Sequence, residues 1–227
     1  LYSLNYLNYK IISNKTEFNY KKIIITWAFK NDFKKDGSFF DRYFKINSKK
    51  LKDTLWVIVY RDKEMPKNIQ KNIFFIKPEN KFSLNIFPIL KLIIINLHFL
   101  FKDKKLFISS ISNHNFFSNL FLNEVKRLLN KDVKTILFTY EGQIFQNRFI
   151  QYISKKFRNI TSIGYVHTPP MAAPFNLVYN SCSPDKIILS GKDQIHCFTK
   201  FLGWQKSKII FLPSFRFNKF NLEMKNK

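Results

Sequence analysis

Apolar residues in this chain come in short blocks divided by polar stretches, and the blocks are of two kinds. Ile23 to Trp27, Leu55 to Tyr60, Ile73 to Ile76, Ile136 to Phe138, Ile160 to Val166, Lys186 to Leu189 and Lys208 to Leu212 are short runs, mostly apolar at consecutive positions. That pattern predicts strands buried on both faces, as in a parallel sheet. Leu106 to Ile111 reads as one more strand. Elsewhere the apolar positions recur at helical spacing. Phe117, Leu120, Phe121, Val125, Leu128 and Leu129 trace one helix face, and Ile144, Phe145, Phe149, Tyr152, Ile153 and Phe157 trace another. Residues 39–52 continue as a predicted helix. Ser190 to Leu202 is a third, with Asp193 at capping-box spacing from Ser190 and Gly203 just past its end. Strands alternating with helices predict an α/β fold, a parallel sheet with helices on both faces. Residues 1–21 carry no clear period and stay unassigned, 22–216 form the predicted domain, and 217–227 are a tail.

The stretch from Phe82 to Phe101 is the most apolar in the chain and approaches the length of a membrane span. Asn85, Pro88, Lys91, Asn96 and His98 interrupt it, and polar groups at the bilayer centre are costly, so a buried or interface-lying helix is expected instead. Lys81, Lys91, Lys102, Lys104 and Lys105 around it suit either anionic headgroups or a solvated rim.

Composition sharpens this picture only in part. The 227 residues are 45% hydrophobic, ample for a core, and 39 Lys+Arg against 15 Asp+Glu give a net charge of +24. Such a charge raises nucleic acid or anionic membrane as partners. The lysines are scattered through every segment, however, and Asn, Ile and Phe are inflated beside them, as in a gene drifting to A+T-rich codons. Nucleic acid is therefore not an expected partner. Two cysteines, Cys182 and Cys197, with no C-x-x-C and no His/Cys cluster at zinc spacing, point to a reduced protein without disulfide or structural metal. The start, LYSLNYLNYK, lacks the pattern of a secretion signal.

Candidate chemistry lies where two predicted strands end. The run at Ile136 stops at Tyr140-Glu141-Gly142-Gln143, and the run at Ile160 stops at His167-Thr168-Pro169-Pro170, with a helix between them. A right-handed crossover makes the two strands parallel and brings Glu141 and His167 to one sheet edge, where ligands of open α/β sheets bind. Taken singly, Glu141 also fits a dipole-favoured helix N-terminal carboxylate, and His167 a loop histidine. No G-x-G-x-x-G, Walker A or G-x-S-x-G sequence is present. For group transfer to a hydroxyl, Glu141 or His167 supplies a base, Tyr140 and Gln143 orient a hydroxyl-rich acceptor, and Arg216 pairs with phosphate.

Four segments in order, ITWAFKNDFKKDGSFFDRYF, TYEGQ, IGYVHTPP and PDKIILSG, followed by FLGW and KIIFLPSFRF, resemble bacterial surface-carbohydrate biosynthesis proteins of the O-antigen and capsule glycosyltransferase type, with GT-B architecture. The resemblance spans about Lys22 to Phe217. It implies a Rossmann-like parallel sheet forming the N-terminal, acceptor-side half of a glycosyltransferase, with the tail leading to a second, donor-binding domain. The donor is a nucleotide-sugar substrate and the acceptor a surface polysaccharide or lipid-linked glycan, with no cofactor or metal. The expected place is cytoplasmic, peripheral on the inner face of the inner membrane. By motif position Glu141, Gly142, Gln143 and His167, with Gly37, Asp41, Arg42 and Tyr43, carry over as site residues, and Tyr140, Thr168 and Arg216 join them as substrate-binding. Two alternatives stay open: a degenerate half that no longer catalyses, and a non-catalytic basic module that binds anionic membrane or glycan.

Overall fold

The computed structural model describes residues 9–12, 19–62, 64–66, 68–80, 112–167 and 174–214, with a few separate positions between 90 and 105. Its framework is one eight-stranded sheet made of β1 (Tyr9–Ile12), β2 (Lys22–Ala28), β5 (Thr54–Tyr60), β6 (Ile73–Asn80), β7 (Thr135–Thr139), β8 (Thr161–Tyr165), β9 (Lys186–Leu189) and β10 (Ile209–Phe211). Between β2 and β5 the chain makes a small antiparallel ribbon, β3 (Phe40–Asp41) with β4 (Ile46–Asn47).

Across the sheet the order is β1-β6-β5-β2-β7-β8-β9-β10. Every pairing from β6 to β10 is parallel, and β1 joins the edge of β6 antiparallel. The parallel part thus begins at the centre with β2, lays β5 and β6 to one side, then returns to lay β7 through β10 on the other. That is the strand order of a Rossmann-like fold, and its reversal falls between the carboxyl ends of β2 and β7.

Burial explains why the apolar runs form strands. All seven residues of β5 are buried, so both of its faces need apolar side chains. Ile23, Ile25, Leu55, Val57, Val59, Ile136, Phe138, Ile187 and Leu189 point to one face. Helices α1 (Asn113–Val125), α2 (Ile144–Lys156) and α3 (Lys192–Lys200) pack there. Phe121 of α1 meets Phe145 and Phe149 of α2 at ring separations of 4.7 and 5.9 Å, and Phe198 of α3 is fully buried. The opposite face carries Ile24, Ala28, Trp56, Ile58, Tyr60, Phe75 and Tyr165, and residues of the 29–51 excursion, Phe33, Phe39 and Phe44 among them, cover it. Helices α1, α2 and α3 therefore serve one face, and the compact 29–51 loop with its ribbon packs on the other.

That excursion corrects one expectation. Residues 39–52 are not an α-helix but the β3–β4 ribbon followed by a single 3-10 turn at Ser48–Lys50. The Asp41 carboxylate Oδ1 accepts the N–H groups of Tyr43 and Phe44, both at 2.7 Å, a local turn that competes with helical hydrogen bonding. Lys45 then takes a left-handed φ of 55°. A second correction is β1, which lies in the segment left unassigned. In the third helix Lys192 begins the element, and Gln194 rather than Asp193 makes the cap, its Oε1 accepting Ser190 N and Gly191 N at 3.0 and 3.2 Å. The predicted strand at 106–111 and most of the apolar stretch 82–101 lie outside the described residues. Among the described residues no helix is long and apolar enough to cross a membrane.

Candidate functional site

Beyond β7 the chain turns through Tyr140, Glu141, Gly142 and Gln143 into α2, and buried Gln146 on the first turn of that helix holds the loop. Its Oε1 accepts Glu141 N at 3.0 Å and Gln143 N at 3.2 Å, while its Nε2 donates to Thr139 O at 2.6 Å. Gly142 has φ +65°, and a Cβ there would lie 1.9 Å from the carbonyl oxygen of Asn176. Only glycine lets the 175–177 turn approach so closely. The Asn176 side-chain amide in turn donates to Glu141 O. The backbone of Glu141 is thereby fixed from two sides.

Its side chain reaches the neighbouring strand. Glu141 Oε2 accepts Gln143 Nε2 at 2.5 Å, and Oε1 lies 3.5 Å from His167 Nε2. This is ion-pair range, at the far limit of a hydrogen bond. The two partners differ in access: the His167 side chain is 6% exposed and that of Glu141 39%. His167 stands two positions after Tyr165, so strand alternation sends both rings to the face covered by the 29–51 excursion. There Tyr43 meets His167 edge-on at 4.5 Å, and Phe44 meets Tyr165 at 5.3 Å.

The same corner holds a clamp onto the end of β2. Arg42 binds Asp32 through two nitrogens, with Nη2 at 2.7 and 2.9 Å from the two carboxylate oxygens, and its guanidinium lies 4.7 Å over the Phe29 ring. Asp32 also accepts Phe29 N at 2.8 Å. Asp41 is fully buried, and that burial pushes its carboxyl up to about 6, against the lowering pull of the Phe44 and Tyr43 amides and Thr26 and with a small upward push from Asp32. The Thr26 hydroxyl favours the charged form, in a geometry too poor to satisfy either Thr26 Oγ1 or Asp41 Oδ2.

The structure thus brings Glu141, Gln143, His167 and Tyr43 together at the carboxyl edge beside the switch point. It separates other predicted site residues from solvent. Asp41 has no exposed surface, and Tyr140 is 1% exposed with its hydroxyl donating to Asn147 Oδ1 at 3.0 Å, so neither touches a substrate from where it stands. Burial also raises the Tyr140 phenol well above its usual value. Arg42 is engaged by Asp32, and Gly37, at φ +74°, is a turn glycine whose absent Cβ would overlap Asn68 O. Gln143 gives its amide to Glu141 rather than to solvent. Thr168 and Arg216 lie outside the described residues. Among the described residues no group of three His, Cys, Asp or Glu side chains is placed to hold a metal ion.

Sequence reasoning missed Gln146, Asn176 and Asp32. Gln146 stands three residues after Gln143, the spacing of a capping box, and that signal was readable. Asn176 gave none, because its partner lies 35 residues away, and the Asp32 contact that builds the clamp, with Arg42, is 10 residues distant. No protein-family model matches this chain, and no curated protein does either.

Proposed function

We propose that this chain is the acceptor-side domain of a glycosyltransferase that moves a sugar from a nucleotide-activated donor to a hydroxyl of a surface polysaccharide or lipid-linked glycan. The single observation that supports the reading most is the approach of Glu141 Oε1 to His167 Nε2 from two neighbouring parallel strands, at the sheet edge where such folds bind ligands. Transfer to a hydroxyl needs a base at the acceptor oxygen. The anomeric carbon forms its new bond to that oxygen as the bond to the donor phosphate breaks, and the nucleotide departs with the electron pair.

Relative access assigns the roles. Glu141 is the exposed member, so its carboxylate touches the acceptor hydroxyl and takes the proton. His167, nearly buried behind it, holds that carboxylate in place. Gln143 fixes the other carboxylate oxygen. The donor binds a second domain, and the net charge of +24 draws the protein to anionic headgroups on the cytoplasmic face of the inner membrane.

The test uses the protein as encoded, with a panel of nucleotide-sugars and lipid-linked glycan acceptor, reading nucleotide release and product mass. Glu141→Gln is expected to slow transfer by about 10²- to 10⁴-fold, the usual worth of a positioned base. Near-wild-type transfer by folded Glu141→Gln and His167→Gln variants would overturn the assignment. The same net charge favours one other reading, a non-catalytic module for anionic membrane or glycan. Its signature is vesicle binding indifferent to Glu141→Gln, with no transfer from any donor.

A further inference from the structure

A fully buried carboxylate that contacts no substrate calls for an explanation, and the corner around Asp41 supplies one. Three consecutive residues after it are anchored at three different places. Arg42 is clamped to Asp32 beneath the end of β2, Tyr43 rests edge-on against His167, and Phe44 packs on Tyr165 of β8. What sets their spacing is the backbone turn, and that turn is closed by Asp41 Oδ1, which accepts the amides of both Tyr43 and Phe44.

We propose that Asp41 is a positioning residue for the Glu141–His167 pair, acting through the turn that seats Tyr43 against the His167 ring. The catalytic half of this inference rests on the reading of that pair as the reacting centre; the structural half does not. Two features favour a positioning role over a plain turn cap. Asn, Ser or Thr caps such turns without placing a charge in the core, and an ionised group there is disfavoured by burial. Moreover, Phe44 lands on Tyr165, the last residue of β8, and Tyr43 on His167 two positions past it, so the turn reads out the position of β8 at its carboxyl end.

Two readouts separate the inference from the function it builds on. The first needs no activity: the imidazole C–H resonances of His167, assigned by their disappearance in His167→Gln, carry the ring-current shift of the Tyr43 edge contact. Tyr43→Ala is expected to abolish that shift and Tyr43→Phe to keep it. Asp41→Ala should move the resonances in the same sense as Tyr43→Ala, and Asp41→Asn, whose amide oxygen still accepts both N–H groups, should leave them close to wild type. The second is transfer kinetics, where Asp41→Ala and Tyr43→Ala lower kcat by on the order of a hundredfold with KM little changed, as for a misplaced reacting group, and Asp41→Asn recovers most of it. If Tyr43→Ala leaves the His167 resonances in place, the contact is not made and the inference falls. It falls equally if Asp41→Ala shifts nothing that Tyr43→Ala shifts. Should Asp41→Ala fail to fold, Tyr43→Ala against Tyr43→Phe carries both readouts, and equal kcat in those two variants overturns the role. Correct resonance shifts with no transfer from any donor would sink the glycosyltransferase reading and leave the positioning contact standing.

Discussion

Replacing Asp41 by asparagine should stabilise the folded chain at neutral and alkaline pH, and the gain should vanish on acidification. Burial lifts the Asp41 carboxyl from 3.8 to about 6. The folded state therefore binds a proton between those two values that the unfolded chain has already released. By linkage, stability referred to this group is greatest below about pH 4, falls as pH rises through the window from about 4 to about 6, and is level above it. A gap of about two units at 1.36 kcal/mol each sets the full effect at about 3 kcal/mol. Asparagine keeps an oxygen for the Tyr43 and Phe44 amides. Any loss from imperfect amide geometry is independent of pH, so the pH-dependent part of the difference isolates the buried charge. Urea unfolding of both proteins at a series of pH values between about 4 and 8 measures it. The Asp41→Asn advantage should grow by about 3 kcal/mol across that range. A difference that stays flat with pH would show that Asp41 titrates in the fold as it does in the open chain, and the argument from its burial would be refuted.

Other outcomes follow from the loop that carries Glu141. Gly142→Ala forces a Cβ to within 1.9 Å of Asn176 O at a left-handed φ, and should cost about 1–3 kcal/mol in urea unfolding while weakening transfer more than a core variant of equal instability. Gln146→Leu removes three hydrogen bonds and leaves Thr139 O, Glu141 N and Gln143 N without that partner; at about 1–3 kcal/mol for each buried group left unmet, a loss of 3 kcal/mol or more is expected, read from the unfolding midpoint. Gly164→Ala places a Cβ 2.9 Å from Tyr140 Cβ and Cγ, and its destabilisation should be relieved in part by Tyr140→Ala, which removes Cγ and the ring, measured as non-additivity of the two unfolding energies.

Much of this architecture could be read from residue order because parallel strands buried on both faces leave an unmistakable trace. Thr54 to Tyr60 is buried throughout, and no amphipathic helix has that pattern. Glu141 and His167 were legible for the same reason, since polar groups that end two such runs must emerge on one edge. The failures share a different cause. Phe39, Phe44 and the residues between them mimic helical spacing, and the decisive event there, Asp41 accepting two amides, is a side-chain choice that period cannot reveal. Tyr9–Ile12 is short and pairs only at an antiparallel edge, so neither length nor consecutive burial betrays it. Motif position points to Asp41 as a site residue and the end of a strand run points to Tyr140, yet both are buried. Their burial depends on Phe44, Thr26 and Asn147, and only the fold brings those groups into place.

The most direct measurement is a double-mutant cycle on sugar transfer with Glu141→Gln, His167→Gln and the pair together, each variant checked for cooperative unfolding. Two groups that work as one unit lose nearly everything at the first substitution, so the double variant should be scarcely slower than Glu141→Gln alone. Losses in kcat that simply multiply, or turnover untouched by either change, would show that the carboxylate and the imidazole are neighbours without a common task.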